Sequence, residues 1–106
     1  EEGGYKKKGK SEAEAEKLIE SAALLEAAGA FAIVLESVVP EVAGAITERI
    51  DIPTIGIGAG SQCDGQIRVL HDVIGAYPWF VPPFATVYGN VSDVVKNSVE
   101  KYISDI

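Results

Sequence analysis

Two apolar runs, Phe31-Ala32-Ile33-Val34-Leu35 and Pro53-Thr54-Ile55-Gly56-Ile57-Gly58, begin about 22 residues apart with a helix-like segment between them. That pairing restricts the fold more than any other feature of the chain. A strand with one wet face alternates apolar and polar residues, whereas an unbroken apolar run fits a strand buried on both faces. Parallel sheets covered by helices produce such strands. Parallel neighbours cannot be joined by a tight turn, so the segment between the runs is expected to be a crossover helix. An α/β fold with a parallel sheet follows.

The flanking signals agree. Ser11 to Glu14 has the S-x-x-E pattern of a capping box, in which the serine oxygen and the glutamate carboxylate each satisfy an amide at a helix start. Behind it, Ala15, Leu18, Ile19, Ala22, Leu25 and Ala28 recur at helical spacing, and Gly29 supplies a stop. The spacing predicts a helix over residues 12–28. Pro40 suits the first turn of the crossover helix, whose expected apolar positions include Val42, Ala45 and Ile46. Arg49 falls in its last turn, where a cation is favoured.

Residues 66–70 form a third candidate strand, with at most a one-turn helix between it and Gly58. Pro78, Pro82 and Pro83 break any long helix beyond it, and Tyr77, Trp79, Phe80 and Phe84 gather there in what reads as a packed loop. Asn90-x-x-Asp93 can cap a terminal helix carrying Val94, Val95, Val99, Tyr102 and Ile103. There is no internal repeat beyond this rhythm and no low-complexity linker. Three strands make a thin sheet with open edges, so a further chain segment or an obligate partner is expected to complete it.

The formal charge of −7, from 16 acidic and 9 basic side chains, disfavours a phosphate backbone as partner, so nucleic-acid binding is not expected. The basic run Lys6-Lys7-Lys8 with Lys10 reads as a solvated loop or as an anion-steering loop near a pocket. A single cysteine, Cys63, precludes an intrachain disulfide, and one cysteine with one histidine gives no zinc-site spacing. No apolar run approaches the roughly 18 residues of a membrane span. Glu1-Glu2-Gly3-Gly4 is neither a signal peptide nor a start methionine. A cytoplasmic home is the default, and the first residue is not expected to be the natural start unless processing explains it.

Glu36 is the most informative position for chemistry. It ends the first apolar run, at the carboxyl edge of a parallel sheet, where ligand and catalytic groups collect in barrels and open α/β sheets. A partly dry site there would make it a general base, and a wet one would leave it a solvated strand-end carboxylate. Gly56-Ile57-Gly58-Ala59-Gly60 lets a strand end approach a neighbour or a ligand, so Gly56, Gly58 and Gly60 serve either tight packing or anion binding. The run matches neither the Walker nor the dinucleotide fingerprint. His71-Asp72 places an imidazole beside a carboxylate, as a structural pair or at a pocket. Asp64 and Asp72 could hold Mg2+ only with oxygen ligands that the sequence does not cluster with them. Cys63 has no activating partner in sequence, and no Ser–His–Asp arrangement can be assigned.

Several ordered blocks carry a resemblance: Gly3-Gly4-Tyr5-Lys6, Leu25-Glu26-Ala27-Ala28-Gly29-Ala30 and Val34-Leu35-Glu36 before Val39-Pro40. Ile55-Gly56-Ile57-Gly58-Ala59-Gly60, Cys63-Asp64-Gly65-Gln66-Ile67 and Val69-Leu70-His71-Asp72 continue it. In order and spacing, over residues 3 to about 75, the chain resembles the ketopantoate hydroxymethyltransferases. The resemblance implies the C-terminal portion of a (β/α)8 TIM barrel of the phosphoenolpyruvate mutase group. Residues 1–106 would be a partial barrel domain supplying roughly its sixth to eighth strands and terminal helix.

The same resemblance implies an activity. The family moves a one-carbon unit from 5,10-methylenetetrahydrofolate, its cosubstrate, to 3-methyl-2-oxobutanoate, giving 2-dehydropantoate for pantothenate and coenzyme A biosynthesis. Mg2+ on the 2-oxo acid stabilises the enolate, and Glu36 is the implied base that removes the C3 proton. Gly56, Gly58 and Gly60 would shape the pocket, with His71 and Asp72 supporting it rather than touching substrate. The family's metal ligands lie in the first half of the barrel, so no metal ligand is assigned in this chain. A homo-oligomer is implied, and a polypeptide of these residues alone is expected to be inactive. The approach to Pro82-Pro83 departs from the family in its Tyr77-Pro78-Trp79-Phe80. Two other readings are a related 2-oxo-acid carbon–carbon lyase, separated by folate dependence, and a small acidic interaction domain, separated by Mg2+-dependent keto-acid binding.

Overall fold

The computed structural model describes residues 7–77, 83 and 85–106. The Gly3-Gly4-Tyr5-Lys6 block and most of the aromatic, proline-rich loop (Pro78, Trp79, Phe80, Pro82 and Phe84) lie outside the described residues. The chain divides into two compact units, Glu1–Ile67 and Arg68–Ile106.

In the first unit, helix α1 spans Glu12–Ala27. The Ser11 hydroxyl accepts from the Glu14 amide at 3.1 Å, so the serine half of the expected capping box forms. The glutamate half does not: the Glu14 carboxylate accepts from the Gly9 amide, upstream of the cap. At the other end, the Gly29 and Ala30 amides fold back onto the carbonyls of Glu26 and Leu25, closing the last turn. Helix α2, Pro40–Arg49, starts with its proline in the first turn and carries Arg49 in the last, both as expected.

Strands β1 (Ile33–Glu36), β2 (Thr54–Ile57) and β3 (Gly65–Gln66) form one parallel sheet in that order. Ile33 lies opposite Thr54 and Glu36 opposite Ile57, while Ile55 pairs with Gly65. On the free side of β1, Lys8 forms an isolated parallel bridge with Val38. Helices α1 and α2 pack together, and Ala22, Val42, Ala43 and Ile46 join Ile33 and Leu35 in one apolar cluster. Each such branched side chain removed from water contributes about 1.5–3 kcal/mol.

Three expectations need correction. The first run is not buried on both faces: Ile33 and Leu35 are buried, but Val34 is 55% exposed and Glu36 is exposed. Among the described residues, the helices cover the Ile33 and Leu35 side of β1 and leave Val34 and Glu36 exposed on the other. In α2, Ala43 rather than Ala45 is fully buried, because Val42, Ala43 and Ile46 form the inward stripe. The third strand is Gly65–Gln66, not 66–70; Leu70 instead opens helix α3, Leu70–Val73.

The link from β2 to β3 is only residues 58–64, far shorter than the usual helical crossover of a dozen or more. A hydroxyl–carboxylate latch closes it. The Asp64 carboxylate accepts from the Thr54 amide (2.9 Å) and hydroxyl (3.3 Å), and the Asp64 amide donates back to Thr54 Oγ1 (3.1 Å). Thr54 is fully buried, and its Oγ1 also meets Thr47 Oγ1 at 2.8 Å on α2. A second clamp comes from α1, where Glu26 Oε2 accepts from the amides of Asp51 (2.6 Å) and Ile52 (3.1 Å) at the turn into β2.

In the second unit, α3 leads through a turn, and α4 spans Val91–Asp105. Asn90 sits at the N-cap of α4 but makes no side-chain cap bond, contrary to expectation. Carbonyls of the preceding turn replace it, Ile74 accepting from Val91 at 3.0 Å and Gly75 from Ser92 at 2.9 Å. The apolar residues of α4, Val94, Val95, Val99, Tyr102 and Ile103, are all exposed.

Candidate active site

The carboxyl edge of the sheet gathers the candidate residues of the first unit. Glu36 is the last residue of β1, paired with Ile57. Strand alternation puts its side chain on the face of Val34, opposite the helices. It is exposed there among the described residues.

Ser37 follows at φ 53°, the only non-glycine residue at positive φ among those described. It is 7% exposed, and its Oγ is buried without a hydrogen-bond partner. Lys7 reaches the same edge, its Nζ donating to the carbonyl of Gly58 just past β2. That contact holds the Lys7 end of the basic run at the sheet edge.

The three glycines divide by role. Gly56 is packed: a Cβ there would stand 2.9 Å from Cys63 Sγ. Gly60 has φ +81° and abuts the start of α2, with Pro40 Cβ 2.7 Å from where its own Cβ would be. Gly58 offers its carbonyl to Lys7. The run therefore draws the loop after β2 against α2. His71 and Asp72 lie in α3, in the second unit. Asp72 is buried, and the exposed His71 ring stacks on Tyr77 with centroids 5.4 Å apart.

Among the described residues no group of three histidine, cysteine or acidic side chains could hold a metal ion. Asp64 is engaged by Thr54. The described residues thus do not form a Mg2+ site. No helix among the described residues is long and apolar enough to cross a membrane.

Sequence reasoning missed Ser37, the Thr47–Thr54–Asp64 latch and the Glu26 clamp. Positive φ usually announces itself through glycine or asparagine, and a serine gives no such warning. The other two join residues 7 to 26 positions apart, which no local pattern exposes.

The model of the ketopantoate hydroxymethyltransferase family matches residues 1–106, the whole chain. The chain belongs to that family. Its curated relatives carry the name 3-methyl-2-oxobutanoate hydroxymethyltransferase. Those of Clostridium botulinum (strain Alaska E43 / Type E3) and Pseudothermotoga lettingae are each 51% identical over 104 residues, and that of Thermosipho africanus is 47% identical over the same length. Each alignment takes in 98% of this chain but only 38–39% of the relative, so the chain spans under two-fifths of the family members it matches. The resemblance read from its motifs is thereby established. Of the fold, the parallel α/β sheet is established, as an open arrangement of three strands.

Proposed function

We propose that this chain is the C-terminal part of an enzyme converting 3-methyl-2-oxobutanoate and 5,10-methylenetetrahydrofolate to 2-dehydropantoate. One observation carries the reading: a family match over the whole chain, with Glu36 at the carboxyl edge of a parallel sheet. In this reading the sheet is a segment of a closed (β/α)8 barrel, and the face bearing Val34 and Glu36 is the barrel interior.

Glu36 then acts as general base. Its carboxylate takes the C3 proton of the keto acid, and the electrons of the C3–H bond pass to the 2-oxo oxygen as an enolate. Water opens the one-carbon bridge of the folate, both of its C–N bonds breaking to release tetrahydrofolate and leave the carbon as a formaldehyde unit. C3 of the enolate attacks that carbon, and the proton held by Glu36 passes to the new alkoxide to give the product hydroxyl. The described residues offer no Mg2+ site, so the metal ligands are assigned to the part of the family's length that this chain does not span. Gly58 and Gly60 shape the rim, and His71 and Asp72 have supporting roles. A homo-oligomer accords with the many exposed apolar side chains, among them Phe31 at 89% and Leu24 at 68%.

The test is product formation by the full-length protein. Turnover is expected only with methylenetetrahydrofolate present, and E36Q is expected to lower kcat by about 10²–10⁴, the range of a general base. Folate-independent cleavage of the keto acid would replace the transferase with a lyase. Full activity in E36Q would remove Glu36 from the chemistry.

A further inference from the structure

From the geometry at the end of β1, we infer that Ser37 is a positioning residue for Glu36, acting through its backbone bend rather than through its hydroxyl. The inference deepens the reading of Glu36 as base and rests on it.

In an extended strand, the amide and carbonyl of one residue face the same neighbouring strand. Ser37 departs from that rule. Its N–H donates to the Ile57 carbonyl on β2 at 2.9 Å, while its carbonyl accepts from the Lys8 amide, on the other side of β1, at 2.7 Å. The left-handed φ of 53° is what turns the carbonyl away from β2. One residue thus fastens the carboxyl end of β1 to both of its neighbours. Strand ends otherwise fray, and the residue held by this fastening is Glu36.

The cost of the arrangement is visible. A residue with a Cβ is strained in the left-handed region, and a buried hydroxyl without a partner is unfavourable as well. Ser37 carries both, since its Oγ is buried and unpartnered. With no partner, the hydroxyl neither relieves the strain nor orients Glu36, which leaves the bend as the functional element. Local strain of this kind persists where surrounding structure enforces it, and it concentrates at working sites.

The experiment uses the full-length protein and follows exchange of the C3 hydrogen of 3-methyl-2-oxobutanoate with D2O by NMR, which reports proton removal without the folate step. Keto-acid affinity is measured in parallel. S37V favours extended backbone and resists positive φ, whereas S37G accepts it and S37A keeps the serine's Cβ without its hydroxyl. Exchange in S37V is expected at least tenfold below that in S37G and S37A, with keto-acid affinity within about threefold across the set. Misplacement by about 1 Å can cost a hundredfold, so a tenfold loss is a modest demand.

Equal exchange in folded S37V and S37G would overturn the proposal. So would a tenfold loss shared by S37A and S37G, which would put the function in the hydroxyl and can be read even if S37V does not fold. E36Q separates the two levels of inference. If it abolishes exchange while the Ser37 series is flat, only the positioning role falls. If it exchanges like wild type, the base assignment falls and takes the positioning role with it.

Discussion

Thr54 shows how much of this unit hangs on single buried polar atoms. Its hydroxyl stands between Asp64 and Thr47, and its amide also binds the Asp64 carboxylate. T54V keeps the shape but removes the hydroxyl that the Asp64 amide and carboxylate share with Thr47, whose own hydroxyl still bonds the Ala43 carbonyl. A hydrogen bond contributes about 0.5–1.5 kcal/mol net, and the midpoint of chemical denaturation of the full-length protein should fall accordingly. Gly60 offers a contrasting test. G60A places a Cβ at φ +81° and against Pro40, and left-handed strain alone costs about 1–2 kcal/mol. G65A meets nothing within 4 Å, so a stability change of about 0.5 kcal/mol or less is expected. A comparable loss in both variants would mean that Gly60 is not serving as a close contact. Glu36 itself was legible in the sequence as a strand-end carboxylate. Ser37 beside it was not, because its strain belongs to a backbone angle that its residue type conceals.

The helices were the readable elements. Ser11, Pro40 and Gly29 act within a turn of where they stand in sequence, so their signals survived into the structure. The strands were harder. Ile67, Val69 and Leu70 suit a strand as well as a helix start, and the latch at Asp64 decides the matter by setting β3 at Gly65–Gln66. The exposure of Val34 was unreadable for another reason: whether a strand face is covered depends on what packs against it, not on the strand's own residues. Helix α1 contributes a clamp that its periodicity does not suggest. Glu26 takes two amides of the α2–β2 turn, and hydrogen bonds to a charged group are worth about 1.5–3 kcal/mol. Discounted for partial exposure, E26A should cost about 1–2 kcal/mol. Hydrogen exchange at Asp51 and Ile52 should quicken more than exchange within α1 itself.

At the scale of the molecule, the uncovered face of β1 and the exposed stripe of α4 leave substantial apolar surface in contact with water. A polypeptide of these 106 residues alone is expected to lack transferase turnover and to self-associate. An activity assay and sedimentation velocity test both points; a monomeric, active product would refute them. The intact denatured mass of the natural protein should approach that of a complete barrel of roughly 250 residues. The short link between β2 and β3 carries a kinetic consequence. Parallel strands pair slowly when a long crossover must first be brought to order, and each doubling of loop length adds about 0.6 kcal/mol to the closure entropy. With only residues 58–64 to close, this pair can assemble while the rest of the chain is still searching, and so serve as a nucleus. T54V should then slow refolding more than it accelerates unfolding.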